Sequence, residues 1–291
     1  MTKQLKVCAA CALAVISFTN LPAQQVIGGF AAPESVIKDG DKLFVSNING
    51  NPADKDGNGY ISELSADGKL LQQKFQKTTL NAPKGLAVIN NTLYVTDIDR
   101  IVGFNSNSGE QVFELKIDGA GFLNDLCKAG DNKLAVTESM SGKIFVVNTA
   151  DKTYSFAGTI GGANGVTYDA KTKKLYACGM GEQMNGTGKL FVKDISSKDT
   201  VFTELPGSPT GIFDGLELTD DSHLLVSDWI SFTSEKARLI SYDLKSHTST
   251  VYSVDGGAAD FCYDKAAKKV YIPHMPKNNV EIAPMNSLKK Q

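Results

Sequence analysis

The stretch Gly161–Cys178, GGANGVTYDAKTKKLYAC, runs as a turn, an apolar strand, a charged hairpin and a second apolar strand. It returns almost letter for letter at Gly256–Ile272, GGAADFCYDKAAKKVYI, and weaker copies lie at Pro33–Asn47, Pro83–Asp97, Leu123–Glu138 and Phe213–Asp228. A repeat of roughly 40–50 residues, each carrying several short strands, is the period of propeller blades. Six such units predict an all-β chain folded as a six-bladed β-propeller of four-stranded antiparallel blades.

The second strand of each unit ends in apolar residues and, in most units, a polar one: LFVSN, LYVTD, LAVTE, LYACG, LLVSD and VYIPH. A third strand follows, usually opened by a basic residue, as at Arg100, Lys143, Lys189 and Arg238. Fourth strands can be placed at Leu70–Gln76, Gln111–Ile117, Thr153–Thr159, Val201–Leu205 and Thr250–Val254, but the sixth unit has none. The apolar segment Gln25–Phe30 is free to fill that place, closing the ring and satisfying an open sheet edge. No helix of normal length and no linker between domains is expected.

Upstream of that segment, Lys3 and Lys6 precede an apolar run from Val7 to Phe18, and Leu21-Pro22-Ala23 offers a small residue at a cleavage point. This is the layout of a secretory signal peptide. The run is shorter than the ~20 residues that a spanning helix needs. The expectation is therefore a leader over 1–23, one propeller domain over 24–291, a periplasmic or secreted location, and no membrane attachment after cleavage. Cys127, Cys178 and Cys262 then remain; they read as buried small apolar residues, and nothing in the sequence demands a disulfide. With 42% apolar residues, 21% charged residues and a net charge of −2, the chain has a core-forming composition and no basic field for nucleic acid.

Aligning the first strands puts Glu34, Lys84, Asn124, Asn164, Asp214 and either Ala259 or Asp260 at one register position. Innermost propeller strands line the central channel, so Glu34, Asn124, Asn164 and Asp214 are expected to converge at one mouth. Two carboxylates and two amide carbonyls are hard donors that suit Ca²⁺ or another hard divalent ion. Polar lining of a wet channel is the plainer role for the same residues. Glu138, Asp228, Trp229 and His274, at or beside the ends of second strands, are candidates for the same mouth. Hydrogen bonding of turns competes with that role, and is preferred for Asp97 and Asp228.

The patterns PES at Pro33, LND at Leu123, ANGV at Ala163 and FDGL at Phe213, each opening a repeat that ends in an LYV-like strand, resemble the gluconolactonase/regucalcin (senescence marker protein) family of six-bladed propellers. The resemblance covers essentially the whole mature chain. It implies a divalent metal on Glu34, Asn164 and Asp214, with Ca²⁺ first and Mg²⁺, Mn²⁺ or Zn²⁺ as alternatives. It also implies Asn124 at metal-bound water or substrate with Asp125 beside it, Asp214 as general base, and hydrolysis of lactones or related esters. Substrate contacts would come from Asn124, Asp125, Glu138, Trp229 and His274. The chain departs from the family at Phe122-Leu123, where sugar lactonases usually carry Arg-Pro before the Asn-Asp motif. It departs again at Ser35-Val36-Ile37, where they commonly have Gly-Pro and an aromatic residue. The metal motif is kept better than the sugar motif.

A second calcium loop is suggested by Asp54, Asp56, Asn58 and Tyr60, which follow the opening of an EF-hand loop with Gly59 at position six. Position twelve is Ser65 and the flanks are strands, so the alternative is a plain Asp-Gly-Asn-Gly turn. Zinc spacing is absent, since His223, His247 and His274 stand far apart, and Gly179-Met180-Gly181 lacks the Lys-Ser/Thr ending of a phosphate loop. Two rivals to a hydrolase stay open: a non-catalytic propeller that binds a ligand or protein, and a related propeller that works without metal.

Overall fold

The computed structural model describes residues 24–220 and 222–291. The leader predicted over 1–23 lies outside the described residues, as does Asp221. Among the described residues the only helical segments are three single 3₁₀ turns; the rest is strand and turn.

Six antiparallel sheets follow one another around a ring. Blade 1 is built from Pro33–Asp39, Lys42–Asn47, Tyr60–Ser65 and Leu70–Gln72, and blades 2 to 5 repeat the pattern with first strands Pro83–Ile89, Leu123–Lys128, Ala163–Asp169 and Phe213–Asp220. Blade 6 comprises Cys262–Asp264, Lys269–His274 and Asn279–Pro284, and its fourth strand is Gln25–Gly28. That N-terminal strand pairs antiparallel from Gln25↔Ile282 to Gly28↔Asn279, which closes the ring as the sequence predicted. One feature was not foreseen: the C-terminal Lys289–Lys290 adds a fifth strand to blade 5, pairing with Ser253 and Tyr252. It covers part of an edge that would otherwise offer open backbone groups.

The apolar residues of the strands pack between neighbouring blades. Tyr94, Ile101 and Phe113 of blade 2 meet Leu126, Val136 and Phe145 of blade 3 in one buried cluster. The closing interface has the same character, with Val36, Leu43 and Val45 of blade 1 against Tyr271, Val280 and Ile282 of blade 6. Both faces of a central blade are thus covered, which explains the near-continuous apolar runs of the second and third strands.

What positions the site is a shared irregularity. In blades 1 to 5 the pairing of first and second strands shifts register just after the first residue, between Pro33/Val36, Pro83/Leu86, Leu123/Leu126, Ala163/Val166 and Phe213/Leu216. A bulge of this kind re-aims the side chains inside it. The residues inside are Glu34, Lys84, Asn124, Asn164 and Asp214, each with its successor. The hydroxyl near the end of the second strand satisfies the displaced amides: Ser46 accepts from Ser35 N at 2.9 Å, Thr137 from Asp125 N at 2.9 Å and Ser227 from Gly215 N at 2.8 Å. This gives the recurring Ser/Thr of VSN, VTE and VSD its structural role. At the fourth bulge a β-carbon on Gly165 would sit 2.3 Å from the carbonyl oxygen of Asp214, so only glycine allows the inner strands of blades 4 and 5 to approach.

Candidate metal centre

Glu34, Asn124, Asn164 and Asp214, from blades 1, 3, 4 and 5, line one cavity of about 300 Å³ at the mouth where the first strands begin. None is more than 7% exposed. Among the described residues six buried side-chain oxygens have no hydrogen-bond partner, and four of them are here: Glu34 Oε2, Asn124 Oδ1, Asn164 Oδ1 and Asp214 Oδ1. Buried polar atoms are nearly always paired, because an orphan forfeits the hydrogen bonds it made to water. Four orphaned oxygens around one cavity, two carboxylate and two amide, are what a hard divalent cation requires of its ligands. The residues therefore fit the ion. Among the described residues no group of three or more His, Cys, Asp or Glu could hold a metal. The difference lies in the two asparagines, which such a grouping leaves out.

The neighbours of the four explain why those particular atoms are free. The Trp229 indole Nε1–H donates to Asp214 Oδ2 at 2.7 Å, leaving Oδ1 to face the cavity. The Asn124 amide Nδ2 donates to Ser139 Oγ at 2.9 Å, and that hydroxyl donates to the Ala163 carbonyl at 2.7 Å, so the Asn124 Oδ1 end is turned away from them. Such partners fix ligand orientation and strengthen a metal site.

Burial dominates the electrostatics of the site. Burial raises the Asp214 carboxyl to about 6, opposed by the Trp229 indole and the neighbouring Asn164 amide. Glu34 is pushed well above the usual carboxylate range, first by burial and then by the carboxylates of Asp214 and Asp260, with Lys84 opposing. Lys84 occupies the second blade's position and is buried. Its Nζ donates to the carbonyls of Pro52 at 2.9 Å and Ala82 at 3.1 Å and lies 4.4 Å from the centre of the Phe122 ring. Burial lowers its ammonium to about 8, against the pull of Glu34 and Asp97.

In the sixth blade the register alternative resolves to Ala259. Ser227 Oγ donates to the Ala259 carbonyl, as Thr96 Oγ1 does to that of Asn124. Asp260 faces the opposite end of the channel, where Ser35 Oγ donates to it at 2.5 Å. Asp125 lies at that end too, its oxygens accepting from the amides of Leu126 at 2.6 Å and Val166 at 2.8 Å. Asp125 is thus adjacent to Asn124 in sequence and separated from the cavity in space, because successive residues in the bulge point to different parts of the channel.

Of the remaining sequence candidates, only Trp229 lines the cavity. Both Glu138 oxygens are taken up by the turns beside it, from Gly121 N, Phe122 N at 2.9 Å, Ser141 N at 2.7 Å and Ser141 Oγ. His274 is buried between Glu281, with Nε2 at 3.0 Å from Oε2, and the Gly256 carbonyl. Asp97 and Asp228 hold turns in the same manner, each with an arginine: Arg100 Nε at 3.1 Å and Arg238 Nε at 2.7 Å. The end of the second strand is a turn-pinning position in every blade but the fourth, where Gly179 stands. In the Asp54–Tyr60 loop, Asp56 accepts from the backbone and side-chain amides of Asn58 at 3.2 and 2.5 Å, Asp54 is exposed, and Asn58 Oδ1 is unpartnered. Tyr60 opens the third strand opposite Asn47 and its hydroxyl accepts from Gln73. Pro52, two residues before this loop, lines the cavity, and none of the four loop residues does.

Residues that the sequence did not single out complete the mouth. Met180, Met184, Phe232 and Met275 line it with Ile48, Pro52 and Phe122. Met184 and Phe232 come from loops joining second and third strands, whose irregular spacing carries no periodic signal.

No protein-family model matches the chain, and no curated protein matches it. Solved structures do. Hydrazine synthase of Kuenenia stuttgartiensis is 16% identical with a TM-score of 0.63, covering 94% of this chain and 81% of that one. Virginiamycin B lyase from Staphylococcus aureus is 13% identical with a TM-score of 0.61, covering 89% and 98%. The β-propeller domain of Cps50 (Swd1) from Myceliophteria thermophila is 10% identical with a TM-score of 0.61, covering 90% and 100%. The shared feature is the propeller. At these identities the likeness concerns the fold alone, and names as unlike as these show that the fold does not choose a function.

Proposed function

We propose that this propeller is an exported divalent-metal-dependent hydrolase of lactones or related esters, as its resemblance to the gluconolactonase/regucalcin family implies. The observation that carries the reading is the set of four unpartnered buried oxygens on Glu34, Asn124, Asn164 and Asp214. Glu34, Asn164 and Asp214 are the family's metal positions, and Asn124 supplies a fourth oxygen. A divalent ion bound there would polarise a carbonyl and make a water more acidic. The chain's own contribution is orientation and proton handling. Trp229 holds Asp214 by one oxygen, and Asp214, by analogy with the family, would accept a proton from an attacking water. Asn124, locked by Ser139, fixes the position of what its Oδ1 contacts.

The test is hydrolysis of a panel of lactones and simple esters by the mature protein, stripped of metal and refilled with Ca²⁺, Mg²⁺, Mn²⁺ or Zn²⁺. Asp214→Ala runs alongside, its folding checked by circular dichroism. The expected result is activity that disappears on stripping, returns with one ion and is absent in the variant. Turnover that is unaffected by stripping, or no turnover with any ion, overturns the reading.

A further inference from the structure

The cavity differs from a sugar-binding site in where its hydrogen-bonding groups are spent. Its wall side chains include Phe122, Met180, Met184, Trp229, Phe232 and Met275, all apolar apart from the indole N–H. That N–H is committed to Asp214 at 2.7 Å. The Lys84 ammonium, the single cation among the described residues that line the cavity, is held by two backbone carbonyls and the Phe122 face. One Asn124 amide hydrogen goes to Ser139. The buried side-chain atoms here that have no partner are all acceptor oxygens, the four suited to a cation. With those oxygens engaged by a cation, a polyhydroxylated ring would turn its hydroxyls to methionine and phenylalanine, where a buried unpaired hydroxyl is costly.

The rim carries the same message. Phe232 is 51% exposed at the mouth, with its ring centre 5.6 Å from that of Trp229, and Ile230 beside it is 44% exposed. Ile230 is held at φ 63°, a conformation that β-branched residues avoid. Exposed apolar groups that continue a buried apolar wall mark a surface that a ligand covers. At about 300 Å³ the cavity lies at the lower end of the range for small-molecule sites, roughly 300–1,000 Å³.

We infer that the substrate is a small lactone or ester with a hydrocarbon substituent, its carbonyl toward the cation that the four oxygens would hold and its alkyl chain against Phe122, Met184, Trp229 and Phe232. This rests on the hydrolase reading for the reacting group. The apolar half rests on the cavity walls alone. Each methylene seated on such a wall adds roughly fourfold to affinity, and a hydroxyl added to an apolar pocket loses up to about 100-fold.

Trp229 is the only tryptophan in the chain, so its fluorescence reports this cavity directly. The Ca²⁺-loaded protein is titrated with 5-pentyl-2-pyrrolidinone, a hydrolysis-resistant analogue of γ-nonalactone, and with unsubstituted 2-pyrrolidinone. In parallel, hydrolysis of γ-nonalactone is compared with that of glucono-δ-lactone. The expected result is a saturable change in Trp229 emission with the pentyl compound at a concentration at least about tenfold lower than with the parent. Phe232→Ser is expected to weaken the pentyl compound by about tenfold, with Ca²⁺ affinity measured by calorimetry unchanged, and γ-nonalactone should be the faster substrate. Equal binding of the two lactams, or faster turnover of glucono-δ-lactone, overturns the inference and leaves the hydrolase reading standing. Tight binding of the pentyl lactam with no hydrolysis of any lactone overturns the hydrolase reading and retains the apolar ligand.

Discussion

Ser139→Ala tests the geometry at a residue that does not line the cavity. The serine hydroxyl accepts from the Asn124 amide at 2.9 Å and donates to the Ala163 carbonyl at 2.7 Å, tying the inner strand of blade 3 to that of blade 4. It is 3% exposed, and Asn124 is 4% exposed, so water cannot replace what alanine removes. Leaving a buried donor and a buried acceptor unpaired costs about 1–3 kcal/mol each. The two losses share one atom and do not add fully, so about 2–4 kcal/mol is expected. For a domain of this size 1 kcal/mol moves Tm by about 2–4 °C, which puts the shift at roughly 4–16 °C. The same change frees Asn124 to rotate and turn its amide nitrogen toward the cavity. Loss of such an orienting partner typically weakens metal binding about 10–100-fold. Thermal unfolding by circular dichroism measures the first effect, and calorimetric titration of the stripped protein with Ca²⁺ measures the second. A wild-type Tm would show that the hydroxyl bridge is not present in solution. A lowered Tm with undiminished Ca²⁺ affinity would remove Asn124 from the ligand set.

Two further changes test the frame around the site. Arg238→Ala strips the cation from Asp228, a fully buried carboxylate that otherwise keeps only the amides of Ile212 and Ile230, each at 3.0 Å. Breaking a buried pair costs about 3–5 kcal/mol, and because Arg238 is 30% exposed the loss should fall near about 3 kcal/mol, read as a lower midpoint in urea; an unchanged midpoint would contradict it. At the far end of the channel, burial raises the Glu217 carboxyl from 4.5 to about 7, against Lys265 and a backbone amide. A carboxyl raised on folding favours the folded state fully below pH 4.5 and loses that contribution as pH climbs through 7. The loss is at most about 3 kcal/mol, less because the side chain keeps some solvent contact. Glu217→Gln is therefore expected to leave stability unchanged at pH 4 and raise it at pH 8; a gain of equal size at both pH values would refute the cause.

The sequence by itself determined the ring. Blade number, strand order and closure by Gln25–Gly28 follow from repeats whose apolar alternation can be satisfied in few ways once six copies must bury their faces against one another. It also determined which side chains meet at the mouth, because the residues at one register position of a cyclic repeat converge wherever the inner strands begin. Glu34, Asn124, Asn164 and Asp214 could be named for that reason. Tertiary structure decided the rest. Asp125 follows Asn124 in the chain yet faces the other end of the channel, since the bulge sends consecutive side chains to different parts of it. Glu138 and His274 share a strand position with no cavity access, because their polar atoms are needed by neighbouring turns. The apolar wall of Met180, Met184, Phe232 and Met275 comes from segments beyond the repeat, placed by contacts between blades. Local pattern fixes which residues can be neighbours around a closed ring; only the packed chain fixes which of their atoms remain without a partner.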